Sequence, residues 1–383
     1  MAEGRGQPED KGPVPVPAGG RRGAAAAPAA ASVAGQRAVS TTDSPLVSVV
    51  ILSFNSRDLL PRAVESVLGQ DWAPIELIVV DNASTDGTAD LLDRYEAAAT
   101  IIRERENTGF ARGMNAGYAA SRGDYVVLLN TDAALHPGFV REAVALFDRH
   151  PDVGVIAPEV LKIAPQGEWR FWRDPRLRAA LRSEGGVVSL TPMMRVRVVE
   201  DGRAGQPSFK ANGACPIVRR AAVEALRERF GVAPFDPVFD TYGEDVDFAF
   251  KAWSTRWRTV FAPAVLAGHV RSYASPLRLA DKRGRLRVNL VAERYINAVR
   301  HLPPRRLWPV LALALAEDLA LIASQRRRGD REAGRDVRAA LARVWRMRRA
   351  LVRFRRRHRT WMTIDFPTEV HCRPAAPPRR PRR

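Results

Sequence analysis

Cysteine is nearly missing from this chain: its 383 residues include only Cys215 and Cys372. Two such distant thiols exclude a disulfide framework or a cysteine-built zinc site, and they fit a reducing compartment. Internal repeats are missing too, which excludes a solenoid or propeller. No long apolar run is uninterrupted. The longest, Leu307 to Ser324, contains Glu317 and Asp318, and each acid near the middle of a span costs about 2.5–3.5 kcal/mol on insertion scales. A membrane-crossing helix is therefore disfavoured, and an interfacial or groove-packed helix is expected. Near the N-terminus, Ala24 to Ala31 is broken by Pro28 and too weakly hydrophobic for a secretory signal core.

Positive charge is abundant, and it is unevenly placed. From Pro276 onward there are 29 Lys and Arg against 9 Asp and Glu, leaving a body of 32 basic and 33 acidic residues. A near-neutral body thus carries a strongly basic C-terminal third, for which membrane phospholipid or nucleic acid would be the anionic partner. Residues 1–44 are rich in Ala, Gly and Pro without apolar periodicity, and disorder is expected there. Residues 45–275 read as one folded domain, 276–360 as basic amphipathic helices on a membrane surface, and 361–383 as a Pro/Arg-rich tail.

Within the body, apolar strands alternate with helical patterns. Val47–Leu52, Ile75–Val80, Thr100–Ile102 and Tyr125–Leu129 read as strands, and Leu59–Leu68 and Gly109–Ser121 as helices between them. That alternation predicts an α/β fold with right-handed βαβ units and a mostly parallel sheet. A further helix is expected through Asp245 and Trp253, and a strand from Val260 towards His269.

Three acidic clusters stand out: Val79–Thr88 around Asp81, Leu128–Asp132, and Gly243–Phe248 around Glu244 and Asp245. Two of them end apolar runs. A carboxylate at the carboxyl end of a buried strand is costly without a ligand, metal or proton to handle, and that edge is where open α/β sheets bind ligands. Plain structural roles compete: Asp81 as a turn residue, Asp132 as a helix cap, and the acids at 244–247 as a response to a helix N-terminus. The glycines of Asn107–Gly117 suit either close helix packing or close approach to a nucleotide, with Arg112 available for a phosphate. Trp169 and Trp172 suit either a sugar platform or the core.

Taken in order, Val47–Asn55, Val79–Thr88, Asn107–Gly117, Leu128–Asp132 and Tyr242–Phe248 followed by His269 resemble the family 2 glycosyltransferases, rhamnosyltransferase-like members among them. The resemblance covers about Pro45 to Ser275 and implies a GT-A nucleotide-binding sheet with flanking helices. It implies an inverting, metal-dependent transfer of a sugar from dTDP-rhamnose or a UDP-sugar to a saccharide or lipid-linked acceptor in cell-envelope glycan synthesis. Asp81 would then accept the N3–H of uracil or thymine, with Ser53 beside the nucleoside. Arg112, Asn115 and Asn130 would serve the nucleotide sugar. Asn130-Thr131-Asp132 occupies the place of the family's Asp-X-Asp, with Asn replacing the first Asp, so Asp132 and His269 are left to hold Mn2+ or Mg2+. Asp245 would be the base and Glu244 its neighbour in positioning acceptor or base. The implied place is the cytoplasmic side of the cell membrane, peripheral on its anionic surface. A sugar-nucleotide-binding protein without catalysis is the alternative. Nucleic-acid binding through the basic third is a weaker one, since the chain has no recognised module for it.

Overall fold

The computed structural model describes residues 44–360, apart from 165–168, 192–193, 195, 200–201, 233, 256, 271–278 and 280–281. The expectations for the two terminal tails lie outside the described residues.

The first half alternates as its apolar pattern dictates. Strand β1 (Val47–Ser53) is followed by α1 (Leu60–Leu68), β2 (Ile75–Asp81), α2 (Thr88–Leu92), β3 (Thr100–Arg103), α3 (Phe110–Ala120) and β4 (Tyr125–Asn130). Pro61 lies in the first turn of α1, where no backbone N–H is needed. Next come β5 (Ala133–Leu135), α4 (Phe139–Arg149), β6 (Val153–Lys162), α5 (Pro175–Ala180) and a two-stranded pair, β7 (Val187–Leu190) and β8 (Val196–Val199). The domain continues through β9 (Ile217–Arg219), α6 (Arg220–Phe230), α7 (Glu244–Trp253) and β10 (Arg258–His269). Three helices follow: α8 (Gly284–His301), α9 (Pro304–Arg327) and α10 (Ala333–His358).

Eight strands make one sheet in the order β3-β2-β1-β4-β9-β6-β10-β5. Strands β1 to β4 run parallel, β9 runs antiparallel between β4 and β6, and β5 is antiparallel to β10. This is the mostly parallel α/β sheet that the strand–helix alternation predicts. Side chains alternate faces along a strand. Val47, Val49 and Ile51 pack with α1 and α4 on one side, while Val50, Ile78 and Val80 pack with α3 and α6 on the other.

The register positions the site. Ser53 pairs with Asp81, and Leu52 with Asn130, so the carboxyl ends of β1, β2 and β4 finish together. Helix α3 lies tightly on this end, where its glycines leave room. A Cβ on Gly113 would meet Leu52 at 2.5 Å, and one on Gly117 would collide with Val50. Gly113 and Gly117 therefore serve helix–sheet packing.

The basic third is bound to the body by buried charge. Asp247 accepts from His301 Nε2 at 2.8 Å and pairs with Arg300 at 2.9 Å and Lys251 at 2.6 Å. Burial opposes its ionisation, but Arg300, Lys251 and the hydrogen bond from His301 outweigh burial and hold its carboxyl far below the ordinary range. Arg343 of α10 donates to Asn289 of α8 and to the carbonyl of Val238. The helices also share a core around Phe239, Val291, Tyr295, Val337 and Leu351.

Candidate active site at the sheet edge and the start of α7

Ser53 and Asp81 are almost fully buried where β1 and β2 end, at 0 % and 4 % exposure. Asp81 Oδ1 accepts the Ser84 N–H at 3.2 Å, which fixes the carboxylate, whereas Ser53 Oγ is buried with no partner. Asn130 ends β4 in the same condition: its backbone is tied to the Ala214 carbonyl at 2.8 Å, and its Oδ1 is buried and unsatisfied. An orphaned buried polar atom costs about 1–3 kcal/mol, so two of them at one sheet edge mark a place shaped for a polar ligand.

Asp132 lies just beyond. His269, at the end of β10, directs Nε2 to Asp132 Oδ1 at 3.2 Å and Nδ1 to Glu184 Oε2 at 3.3 Å. Burial disfavours an imidazolium here, but hydrogen bonds to the two carboxylates outweigh it and raise the ring's pKa to about 9. Among the described residues no set of three or more such side chains is gathered for a metal. Asp132 and His269 are nonetheless close enough to share one cation if the ring loses its proton, with ligand oxygens and water completing the shell.

The third cluster is built by a backbone device. Tyr242 and Gly243 have φ of +74° and +88°, which turns the chain sharply into α7. A side chain at position 243 would also meet the Cβ of Glu293 at 2.6 Å. The turn presents Glu244 and Asp245 at the helix N-terminus, which favours carboxylates. Asp245 is ion-paired through Oδ2 with Lys210, and its Oδ1 accepts from the Val246 N–H at 2.8 Å. Glu244 is 8 % exposed and its Oε2 has no hydrogen-bond partner. Burial, then the charge of Asp245, pushes the Glu244 carboxyl up to about 8. Burial and Asp245 likewise raise Glu293, on α8, to about 7.

The loop before β9 joins these parts. The Ala214 carbonyl holds Asn130, and a Cβ at its neighbour Gly213 would lie 3.7 Å from Asp245 Oδ2. The Asn212 side chain donates to the Glu184 carbonyl at 3.1 Å. Lys210, Gly213, Glu244 and Asp245 line one narrow cleft together with Phe110, Phe235 and Phe248.

Two expected nucleotide contacts lie differently. Asn115 is a tether: its amide donates to the Phe235 carbonyl at 2.7 Å and accepts the Phe235 N–H at 3.0 Å. Both ends of the amide thus hold a loop, a role the expectation of a nucleotide-sugar contact did not include. Arg112 is exposed on α3, off the glycine face that meets the sheet. Three residues of the site were missed in the sequence. Lys210 directly precedes the Ala211–Val218 segment, which is a usable signal. Glu184 and Glu293 carry none.

Residues 48–202 match the family model described as Glycosyl transferase family 2. Over 91 residues the chain is 41 % identical to TuaG of Bacillus subtilis, a glycosyltransferase assigned to teichuronic acid biosynthesis, covering 23 % of this chain and 36 % of TuaG. It is 32 % identical over 105 residues to the succinoglycan biosynthesis protein ExoO of Rhizobium meliloti, covering 27 % and 30 %. The chain thus spans about a third of the length of these curated relatives. Among solved structures, GalNAc-T7 with UDP, GalNAc and Mn2+ superposes with a TM-score of 0.51 at 17 % identity, covering 67 % of this chain and 50 % of that one. The shared architecture is the GT-A sheet with flanking helices.

Proposed function

We propose, from the match of residues 48–202 to the family 2 glycosyltransferases, that this chain moves a sugar from a nucleoside diphosphate to an acceptor hydroxyl in cell-envelope glycan synthesis. The carrying observation is the set of buried, unpartnered oxygens: Ser53 Oγ, Asn130 Oδ1 and Glu244 Oε2. A bound donor and acceptor would satisfy groups that the protein leaves unsatisfied.

In this reading Asp81 accepts the imide N3–H of uracil or thymine, with Ser53 beside the nucleoside. dTDP-rhamnose and UDP-sugars share that edge, so both fit. Asp245 takes the acceptor proton as the acceptor oxygen bonds to the anomeric carbon. The bond from that carbon to the diphosphate oxygen breaks, its electron pair leaves with the diphosphate, and the configuration inverts. Lys210 and the Val246 N–H orient the Asp245 carboxylate while lone pairs remain for the incoming proton. Glu244, buried beside Asp245, positions the acceptor or the base. Asp132 and His269 would hold Mn2+ or Mg2+, which when bound supplies positive charge to the leaving diphosphate. The acceptor is a saccharide or lipid-linked saccharide, and the basic third supports attachment to an anionic membrane surface from the cytoplasmic side.

Thermal unfolding of the purified protein against a panel of nucleotide sugars, with and without Mn2+, tests the donor. A uridine or thymidine diphosphate sugar should stabilise it, and Asp81→Ala should abolish that stabilisation. Equal response to guanosine and adenosine diphosphate sugars would overturn the role given to Asp81.

A further inference from the structure

Helix α9 has an inverted surface. Its inward stripe, Leu307, Val310, Ala314 and Asp318, is buried against its neighbours. Its outward stripe is apolar as well: Trp308 is 72 % exposed, Leu319 59 % and Leu315 44 %. A helix face turned to water is ordinarily polar, and a contiguous apolar patch of this kind marks an interaction surface.

Arginines flank that face. An open groove of about 1060 Å³ separates α9 from α10, with Trp308 and Leu311 on one wall and Trp345, Leu351 and Val352 on the other. Beyond it, Arg348, Arg349, Arg353, Arg356 and Arg357 line a second cleft on α10. Arg348 lies over the Trp345 ring at 4.3 Å, so the aromatic and basic zones meet. Aliphatic surface, then indole, then guanidinium is the polarity sequence of a bilayer from acyl chains through the interface to anionic headgroups.

By length and hydropathy alone α9, with 24 residues, could cross a membrane. Its acids oppose that. Asp318 is fully buried, ion-paired with Arg294 and accepting the Tyr295 hydroxyl at 2.6 Å, and Glu317 pairs with the same arginine at 3.2 Å. Crossing would tear these groups from α8 and leave charge in hydrocarbon.

We propose that the outward face of α9 and the arginine face of α10 together seat on an anionic bilayer, with Trp308 and Trp345 at the headgroup–acyl boundary. This rests on the membrane attachment in the functional reading, and it adds a defined face, depth and orientation. The complementarity of an arginine field with anionic lipid selects a bilayer over a second copy of this chain, whose identical arginines would repel.

The full chain is sedimented with phosphatidylglycerol/phosphatidylcholine vesicles and with phosphatidylcholine vesicles alone, at low and high salt. Vesicles brominated near the carbonyl end of the acyl chain report indole insertion by quenching. The expected result is preference for anionic vesicles, quenching that falls in Trp308→Phe and Trp345→Phe, and at least tenfold weaker binding by the Trp308→Ser/Trp345→Ser double variant. Leu315→Glu, on an exposed position, should weaken binding while leaving nucleotide-sugar stabilisation intact. Vesicle binding without quenching, unchanged in these variants, would overturn the proposed face yet leave electrostatic attachment standing. No binding to any vesicle would overturn both. DNA binding without vesicle binding would do the same, whereas a dimer that Leu315→Glu dissociates in the absence of lipid would overturn the proposed face.

Discussion

Glu244→Gln tests the electrostatics of the candidate site through stability. In the folded protein burial and Asp245 hold the Glu244 carboxyl at about 8, against an ordinary 4.5. Between these values the folded state keeps a proton that the unfolded chain has released. Raising the pH through this window therefore favours unfolding, and the penalty grows at about 1.4 kcal/mol per pH unit. It is small at pH 5 and amounts to about 3 kcal/mol at pH 7. Glutamine has the same shape and does not titrate, so it removes the growing part. Any fixed cost from placing an amide at the unpartnered Oε2 position applies at both pH values and cancels. The stability gained by the variant should thus be greater at pH 7 than at pH 5 by about 2–3 kcal/mol, or about 4–12 °C in Tm for a domain of this size. Thermal or urea unfolding of both proteins at the two pH values measures it. A variant effect that is the same at pH 5 and pH 7 would refute the reasoning, because Glu244 would then ionise as an ordinary carboxylate.

Asp245→Asn should retain donor binding and lose at least about 100-fold in turnover, the usual scale of a general base; steady-state assays and nucleotide-sugar binding on the same preparation separate the two. Chelation by EDTA should stop turnover and Mn2+ or Mg2+ restore it, with Asp132→Ala more damaging than His269→Ala because a carboxylate also contributes charge. Full activity in chelator would remove both residues from that role. Gly243→Ala should cost at least about 2 kcal/mol, since alanine disfavours φ of +88° and its Cβ would press on Glu293; a denaturation midpoint equal to that of the parent would contradict this.

Much of the fold was legible in local pattern. The β-branched runs at Val47, Ile75 and Tyr125, each followed by helical spacing, predict parallel strands under helices, and those strands form. The carboxylates and amides at their ends were legible for the same reason, since a polar side chain closing a buried strand is conspicuous. Strand β6 and the antiparallel β9 between β4 and β6 escaped notice. Strand β9 is only three residues long, and Gly154 and Pro158 interrupt the apolar run of the ten-residue β6, so neither carries a clear period.

The sequence by itself determined where the acids of the candidate site stand on their strands and helices, because a register of two or of 3.6 residues is a local property of the backbone. It also determined that α9 would be costly to insert, because Glu317 and Asp318 interrupt its apolar run. Only the tertiary structure decided which groups face one another. Packing of α8 brings Glu293 to the start of α7 and Arg294 to Asp318, while the fold of the loop before β9 brings Lys210 to Asp245. It also spends Asn115 on Phe235. Such pairings depend on how whole elements dock, and the residues that meet are separated by up to about 50 positions around Asp245 and 120 at Asn115. No local period encodes contacts at that range. The electrostatic character of the site follows in part from them: docking supplies the burial that raises the Glu244 carboxyl most, the adjacent Asp245 raises it further, distant Lys210 opposes the shift, and distant Glu293 adds to it.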